Sequence, residues 1–357
     1  MTLLLTFASC CTAKSQEVRF SRYWASPKAI DIPDTIRFCF AGDIMMHARQ
    51  LEFDYSDYFS EVEHLLKEAD YAVANMEFTL AGEPYTGYPQ FSAPDIYAEH
   101  VAESGVNIFL CANNHILDKG SEGAERTLQQ YRRLADSHGV RFTGAAGSQE
   151  EMDSTTPLFI EEDGIRIALI NFTYGTNLGS TDHWPKVNYL NQRQFLKNML
   201  QKAENEADFT IALPHWGEEY QLIHSENQEA TAKWLIENGA DLIVGTHPHV
   251  VQDVDQIGTV PVAYSLGNAV SNMSAANTQI GLFLTVDLIV ESNGKVRVGQ
   301  VEPTYTWCSR PGGFGTSYAV VVVEEQIGNK EDWSGGWEYE KMMTTYERVR
   351  KTHNNEH

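Results

Sequence analysis

Residues 36–43 read IRFCFAGD, a strand-like apolar run that passes directly into Gly42 and Asp43. The same arrangement recurs along the chain, with a polar motif placed just after an apolar run. The other five motifs are Asn75-Met76-Glu77, Asn113-Asn114-His115, His215-Trp216-Gly217, Gly245-Thr246-His247-Pro248-His249 and Ser265-Leu266-Gly267-Asn268. Ligands of α/β proteins bind at the carboxyl ends of the strands. The pattern therefore predicts an α/β fold in which these motifs meet in one pocket.

Strand-like and helical patterns alternate on either side of these motifs. Further strands are predicted at 71–74, 107–112, 166–172, 209–213, 241–244 and 260–264, and helices at 56–69, 92–105, 121–138, 192–207, 225–238 and 333–351. A hairpin with an Asn293-Gly294 turn is predicted to join strands at 281–290 and 295–301. We interpret the chain as a signal and tether (1–33), one α/β domain with an antiparallel addition (34–325) and a C-terminal helical extension (326–357).

The charge and cysteine content exclude several classes of protein. The net charge of −23 leaves no basic stripe for a nucleic-acid or anionic-membrane partner. None of the five cysteines has CxxC spacing, which disfavours a thiolate zinc site or a redox pair. Cys39 and Cys111 lie in apolar runs, so we expect both to be small core residues.

The first residues suggest how the protein is located. The run Leu3-Leu4-Leu5-Thr6-Phe7-Ala8-Ser9-Cys10 resembles the end of a bacterial lipoprotein signal, in which the cysteine carries the lipid. The resemblance implies a lipoprotein of the cell envelope, on the periplasmic or outer-surface side, which contacts the membrane only through this lipid. The alternative is an incidental apolar start.

The side chains of the motifs suit a site for divalent metal ions. Asp43 and Glu77 supply carboxylates, and a carboxylate can bridge two ions because it has two oxygens. Asn114 supplies an amide oxygen, and imidazoles come from the set His215, His247 and His249. Such ligands favour one or two ions of manganese, iron or zinc. His115, next to Asn114, would remain free to act as an acid or an electrostatic stabiliser.

Each motif also has a purely structural interpretation. Asp43 after a glycine is typical of a turn, Glu77 alone would suit the surface, and Asn114 tolerates left-handed backbone. The hardest motif to explain structurally is His247-Pro248-His249, because two neighbouring imidazoles are costly to bury without protons, partners or metal. A metal or catalytic role is therefore favoured for the set.

Together the motifs resemble those of the CapA family, which is linked to capsule and poly-γ-glutamate synthesis and is more distantly similar to calcineurin-like metallophosphoesterases. The similarity follows the family's order over about 36–268 and includes Asn113 to Gly120 and His215 to Tyr220. The resemblance implies a metallophosphatase-like four-layer sandwich of two mixed β-sheets flanked by helices.

The resemblance also implies a role for each site residue. Asp43 and His249 would hold the first metal, and Glu77 would bridge both ions. The second metal would be held by Asn114, His215 and His247. His115 would steady the leaving group or the attacked phosphorus, and Asp118 would orient the His115 imidazole.

Two departures from the phosphoesterase pattern affect the first metal. Phosphoesterases usually have Asp-x-His in the first motif, whereas this chain has Met45 in place of the histidine. His47 could compensate if its loop curls inward. Glu77 replaces an aspartate at the bridging position and lengthens the side chain by one methylene.

The resulting hypothesis is a CapA-like, metal-dependent envelope protein that supports synthesis or export of an anionic capsule polymer. Its partners would be membrane subunits of a polymer synthase, with an anionic polymer or a phosphorylated compound as substrate. The motifs leave open whether the bond is a phosphoester or an amide. Two alternatives are a phosphoesterase acting on envelope metabolites and a non-catalytic accessory subunit of the synthase, for which the departure at Met45 is the best argument.

Overall fold

Alternating side chains on the first strand face two different hydrophobic layers. The computed structural model describes residues 34–180 and 183–354, and its first strand is β1 (Asp34–Ile44). Ile36, Phe38 and Phe40 point into the core between two sheets. Cys39 points to the other side, into a core shared with helices. This two-residue period is what a strand between two apolar layers requires.

The strands form two mixed sheets. The remaining strands are β2 (Tyr71–Met76), β3 (Ile108–Leu110), β4 (Arg141–Thr143), β5 (Ala145–Ala146), β6 (Leu158–Glu162), β7 (Ile165–Thr173), β8 (Lys186–Val187), β9 (Phe209–His215), β10 (Leu242–Val244), β11 (Val254–Ile257), β12 (Val260–Ala263), β13 (Asn268–Val270), β14 (Ile280–Val290), β15 (Val296–Ser309) and β16 (Ala319–Val322). The first sheet has the order β16-β15-β14-β1-β2-β3-β4, with β13 also paired to β1, and the second has the order β11-β12-β10-β9-β7-β6. In the first sheet β1 to β4 are parallel, and in the second so are β7, β9, β10 and β12. Strands β5 and β8 form a separate pair.

Helices flank both sheets. They are α1 (Glu63–Lys67), α2 (Asp95–Glu103), α3 (Gly120–His138), α4 (Gln149–Thr155), α5 (Arg193–Glu206), α6 (Glu226–Glu237), α7 (Val323–Gln326) and α8 (Gly336–Asn354), with 3-10 turns at Gln50–Glu52 and Lys330–Asp332. Residues of α2 and α3 share a core with the first sheet, and residues of α5 and α6 share one with the second. The predicted sandwich of two mixed β-sheets flanked by helices is confirmed.

Several local predictions are also confirmed. Gly139 ends α3 in the left-handed region at φ 69°. Ser225 and Gln228 form both hydrogen bonds of a capping box at the start of α6. The β14–β15 hairpin turns at Asn293-Gly294, where the side chain of Asn293 accepts a hydrogen bond from the Lys295 amide. Cys39 and Cys111 are fully buried.

The helix predicted at 56–69 is wrong over its first half, because only Glu63–Lys67 is helical. Asp54 accepts hydrogen bonds from the amide and hydroxyl of Ser56, which favours a turn over a helix start. Tyr58 and Phe59 are both buried, and the Tyr58 hydroxyl donates to the Gln50 carbonyl. Packing of these aromatic side chains therefore outweighs the helical pattern.

The C-terminal helix α8 packs on the first sheet. Met342 lies in the core between the sheets, and Glu338 is fully buried. The Glu338 carboxylate accepts hydrogen bonds from Gln279, Ser309 and the Arg310 amide. The described residues 34–180 and 183–354 belong to one compact unit. The division proposed at 325/326 stays a prediction.

The lipoprotein hypothesis, with its acylated Cys10, falls on residues outside those described. In the described ranges, no helix combines the length and the apolar character needed to cross a bilayer.

Candidate metal centre

The predicted site residues come from strand ends in both sheets and meet in one buried pocket. Asp43 lies at the end of β1, Glu77 follows β2, and Asn114 and His115 follow β3. The second sheet contributes His215 from the end of β9, with His247 and His249 from the loop after β10. Oε1 of Glu77 lies 3.9 Å from Nε2 of His215 and 3.7 Å from Nε2 of His249. The spatial convergence that the hypothesis requires is therefore present.

The backbone at the centre is closely packed and strained. The Asp43 amide donates to the carbonyl of Gly267 at 2.9 Å, and a Cβ at Gly42 would collide with that same carbonyl. His247 and His249 adopt positive φ values of 101° and 57°. Non-glycine residues rarely adopt this conformation, and it is found preferentially at functional sites.

Two groups of three ligand-type side chains share Glu77. One group is Glu77, His247 and His249, and the other is Asp43, Glu77 and His215. Within each group the ligand atoms lie within 4.8 Å of one another, and all five residues are buried. A carboxylate common to two groups is in the place that a bridging ligand needs.

Two buried atoms of these groups are left without hydrogen bonds. Among the described residues, Oε1 of Glu77 and Nδ1 of His247 have no hydrogen-bond partner. Buried polar atoms are normally satisfied, so each such atom needs an explanation. A divalent cation would satisfy both. The residues present therefore fit a metal.

Burial and neighbouring charges shift the pKa values in opposite directions. Burial, together with the charge of Asp43, raises the pKa of Glu77 well above its ordinary value. Burial also lowers the pKa of both His215 and His247 well below the usual value. For His249 burial lowers the pKa, but the hydrogen bond and charge of Asp43 outweigh it, so the pKa is raised. His215 and His247 are therefore neutral, as metal-binding imidazoles must be.

Asn114 contacts the second of these groups directly. Its Oδ1 lies 2.9 Å from Nε2 of His215, and Nδ1 of His215 lies 3.0 Å from the Thr246 hydroxyl. The amide oxygen and the imidazole assigned to one metal by the resemblance are therefore adjacent. The resemblance places His247 with them, whereas in the structure His247 groups with His249 and Glu77.

His115 and Asp118 form a buried pair beside the carboxylates. Nδ1 of His115 lies 2.7 Å from Oδ2 of Asp118, and Nε2 lies 3.9 Å from Oε1 of Glu77. The Phe91 ring contacts the imidazole edge-on at 4.7 Å, and the Phe91 amide donates to Asp118. The carboxylate thus holds Nδ1–H and turns Nε2 toward the pocket.

Asn75 and Asn113 join the site, although the sequence interpretation gave neither of them a role. Nδ2 of Asn75 donates to Oδ1 of Asp43 at 2.7 Å and lies 3.5 Å from Oε2 of Glu77. Asn113 donates to Oδ1 of Asn75 and accepts a hydrogen bond from the His115 amide. Both asparagines belong to the same sequence motifs as the proposed ligands, and that position could have indicated a role in the site.

Two further residues border the pocket. The Tyr174 ring lies 4.5 Å from the His247 ring, and Tyr174 is partly exposed to solvent. Asn268 places its Oδ1 3.0 Å from Nδ1 of His249 and donates to the His249 carbonyl. Asn268 therefore fixes the orientation of His249, a role that outer residues of metal sites commonly have.

Met45 and His47 lie near the first motif but in neither group of three. The Met45 side chain is buried in the core shared with the helices. His47 packs edge-on against Phe91 at 5.1 Å, on the ring that also contacts His115. Its Nδ1 lies 3.3 Å from the Asn272 amide, and burial lowers its pKa to about 4.

Comparison with known proteins gives a consistent family. The sequence profile described as "Bacterial capsule synthesis protein PGA_cap" matches residues 37–273. The capsule biosynthesis protein CapA of Bacillus anthracis is 32% identical over 254 residues, which cover 67% of this chain and 60% of the relative. The PGA biosynthesis protein CapA of Bacillus subtilis (strain 168) is 26% identical over 285 residues, which cover 75% of this chain and 72% of the relative.

A solved structure aligns over a larger share of this chain. The NAD nucleotidase of Haemophilus influenzae aligns with a TM-score of 0.47 and 12% identity, covering 89% of this chain and 68% of that protein. The fold assignment depends on the chain's own sheet topology, since this score is below 0.5. The family profile covers about two thirds of the chain, including every motif described above. The chain therefore belongs to the family of bacterial capsule synthesis proteins described as PGA_cap.

Proposed function

We propose that this protein is a metal-dependent hydrolase of the cell envelope that supports synthesis or export of an anionic capsule polymer such as poly-γ-glutamate. The observation that carries the proposal is the pair of ligand groups sharing Glu77, next to the buried His115–Asp118 pair. Family membership supports the capsule role. A phosphoester and an amide are both compatible with this site.

The metal ligands would be Asp43, Glu77, Asn114, His215, His247 and His249, for one or two ions of manganese, iron or zinc. A bound pair of divalent ions lowers the pKa of water and withdraws charge from a phosphoryl or carbonyl oxygen. Glu77 would contribute a carboxylate oxygen to either ion, because it belongs to both ligand groups. Asn75 would offset the repulsion between the two carboxylates, because its side-chain amide donates to Asp43 and lies near Glu77.

His115 would act as the general acid. When protonated, it can donate from Nε2 to the departing oxygen, because Nε2 faces the carboxylate pocket. Asp118 would stabilise the imidazolium through Nδ1–H at 2.7 Å. The Phe91 ring limits rotation of the imidazole, so the proton is delivered in one direction.

Elemental analysis of protein purified without chelators tests the proposal, combined with an assay of aryl-phosphate and γ-glutamyl-amide hydrolysis. We expect one or two equivalents of metal and hydrolysis of one of the two substrates that stops after chelation. Protein that retains no transition metal, even after incubation with manganese, iron and zinc, would contradict the proposal.

A second function is a non-catalytic accessory subunit of a polymer synthase. Met45 favours this function. Its thioether is buried in the core shared with the helices, and it stands at the position where phosphoesterases usually have a metal-binding histidine. One equivalent of metal without turnover of either substrate would favour this function over the hydrolase.

We propose attachment to the membrane through a lipid on Cys10, with membrane subunits of a polymer synthase as partners. Labelled palmitate should be incorporated into the wild-type protein expressed in a bacterial host. The Cys10→Ala variant should remain unlabelled, and equal labelling of both would exclude this attachment.

A further inference from the structure

A cavity of about 780 Å³ lies beside the start of α5 and is lined mainly by residues of α4, β8 and α5. Two of its lining residues are cationic, Lys186 and Arg193, and none is acidic. The whole chain carries 49 acidic residues against 26 lysines and arginines. A cavity without carboxylates is therefore a local exception on a strongly acidic protein, and it favours anions locally.

Aromatic rings, rather than carboxylates, position both cations. Nζ of Lys186 lies 4.8 Å from the centre of the Trp184 ring, and Cζ of Arg193 lies 4.4 Å from that of Trp234. Arg193 also donates to the Thr231 hydroxyl at 3.4 Å. Neither cation forms an ion pair with any carboxylate in residues 34–180 or 183–354. Their charges remain available to a ligand.

Amide side chains lie beside the cations. Asn191 and Gln192 line the same cavity and are exposed to solvent. Amide groups can both donate to and accept from a polyamide backbone. A guanidinium binds a carboxylate through two parallel hydrogen bonds. The lining therefore matches a chain that combines amide bonds with carboxylates.

A second cavity has lining residues that contact both Arg193 and a proposed metal ligand. A smaller cavity of about 160 Å³ is lined by Tyr174, Trp216 and Thr231, among others. Thr231 accepts the hydrogen bond of Arg193, and the Tyr174 ring contacts His247 at 4.5 Å. The smaller cavity therefore borders Arg193 at Thr231 and His247 at Tyr174.

We propose that the larger cavity, here called the Arg193 cleft (Lys186, Asn191, Gln192 and Arg193), binds an extended polyamide with repeated carboxylates. One segment of the ligand occupies the cleft while a neighbouring segment reaches the metal centre. This inference rests on the proposed function, because it identifies the substrate class of that site. The cleft itself binds through charge and hydrogen bonds and does not need metal.

Binding of a fluorescent polyglutamate fragment to metal-free protein, measured by anisotropy at about 50 mM salt, tests the inference. We expect Lys186→Gln/Arg193→Gln to weaken binding by about tenfold or more. The matched control is Lys295→Gln/Lys351→Gln, which removes the same charge from two exposed lysines and should change the affinity by less than about twofold. Equal weakening in both double variants would overturn the inference, since net charge alone would then explain binding.

Two further arms identify the ligand and separate this inference from the proposed function. Polyphosphate of equal charge should bind more weakly than polyglutamate, and tighter binding of polyphosphate would overturn the proposed ligand class. His247→Ala should bind polyglutamate as the wild type does, even if metal loading and hydrolysis fail. A loss of binding in His247→Ala would place the ligand at the metal centre instead and overturn the role of the cleft.

Discussion

The side-chain amide of Asn75 donates to Oδ1 of Asp43 at 2.7 Å, and the same nitrogen lies 3.5 Å from Oε2 of Glu77. One neutral donor therefore lies between two buried carboxylates that would otherwise repel each other. Asn113 donates to Oδ1 of Asn75 and so fixes the direction in which the amide points. Asn75 and Asn113 therefore position the two carboxylates in the metal-free protein.

The first prediction concerns Asn75. Asn75→Ala should weaken metal binding by about 10- to 100-fold, as expected when an outer residue that orients a ligand is removed. Calorimetric titration of metal-free protein with Mn²⁺ or Zn²⁺ measures this change. Asn205→Ala, on the exposed face of α5, is the control and should retain the wild-type affinity. An unchanged affinity in Asn75→Ala would show that Asp43 is positioned by the backbone alone.

The second prediction concerns a proposed ligand and a core residue of similar burial. His247→Ala should abolish loading of at least one metal while the protein stays folded, because His247 lies beyond the end of β10. Cys111→Ala should retain its metal and lose only packing, since Cys111 is fully buried among apolar residues. Elemental analysis and thermal unfolding measure the two effects. Wild-type metal content in His247→Ala would remove that residue from the ligand set.

The third prediction concerns the stability of the metal-free protein. Glu77 is fully buried, and burial together with the charge of Asp43 raises its pKa, so this carboxyl group lowers the stability of the metal-free protein at neutral pH. Glu77→Gln removes the charge at nearly constant volume and should raise the metal-free Tm by about 2–4 °C. Added metal should raise the Tm of the wild type but not that of the variant. A lower metal-free Tm in Glu77→Gln would show that the carboxylate contributes stability without metal.

The fourth prediction separates catalysis from metal binding. His115→Ala should lower turnover by about 10²- to 10⁴-fold and leave the metal content unchanged, because His115 belongs to neither group of three. Asp118→Asn should lower turnover less, since it weakens only the orientation of the imidazole. Full activity of His115→Ala toward the better substrate would exclude this residue as the general acid.

The fifth prediction concerns the approach of two backbone segments. Gly42→Ala should destabilise the fold strongly, because the new methyl would collide with the Gly267 carbonyl between β1 and β13. At Gly315 an added Cβ meets nothing within 4 Å, so Gly315→Ala should leave the Tm nearly unchanged. Equal Tm values for the two variants would show that β13 can shift away from β1 at little cost.

Hydrophobic periodicity made most of the architecture predictable. The run at 36–40 alternates between two apolar layers, and the strand predicted at 209–213 lies within β9. The polar motifs directly follow the predicted strands in the sequence, so their location at strand ends was also predictable. The eight predicted site residues lie together because parallel strands bring their carboxyl ends to one edge.

Other features depended on contacts between distant parts of the chain. The buried position of Asn75 follows from its contact with Asp43, 32 residues earlier, which no local pattern reveals. Strand β13 is only three residues long and is held by pairing with β1. The turns at 56–62 replace a helix because Tyr58 and Phe59 pack into the core. Tertiary packing overrides local preference in each case.

The ligands of the candidate centre are divided between the sheets. Asp43 and Glu77 come from the first, while His215, His247 and His249 come from the second. A cation bound by ligands from both sheets would link the two sheets of the sandwich. Metal affinity would then arise only after the two sheets pack together, so the unfolded chain would bind the ion weakly and metal binding would be linked to folding.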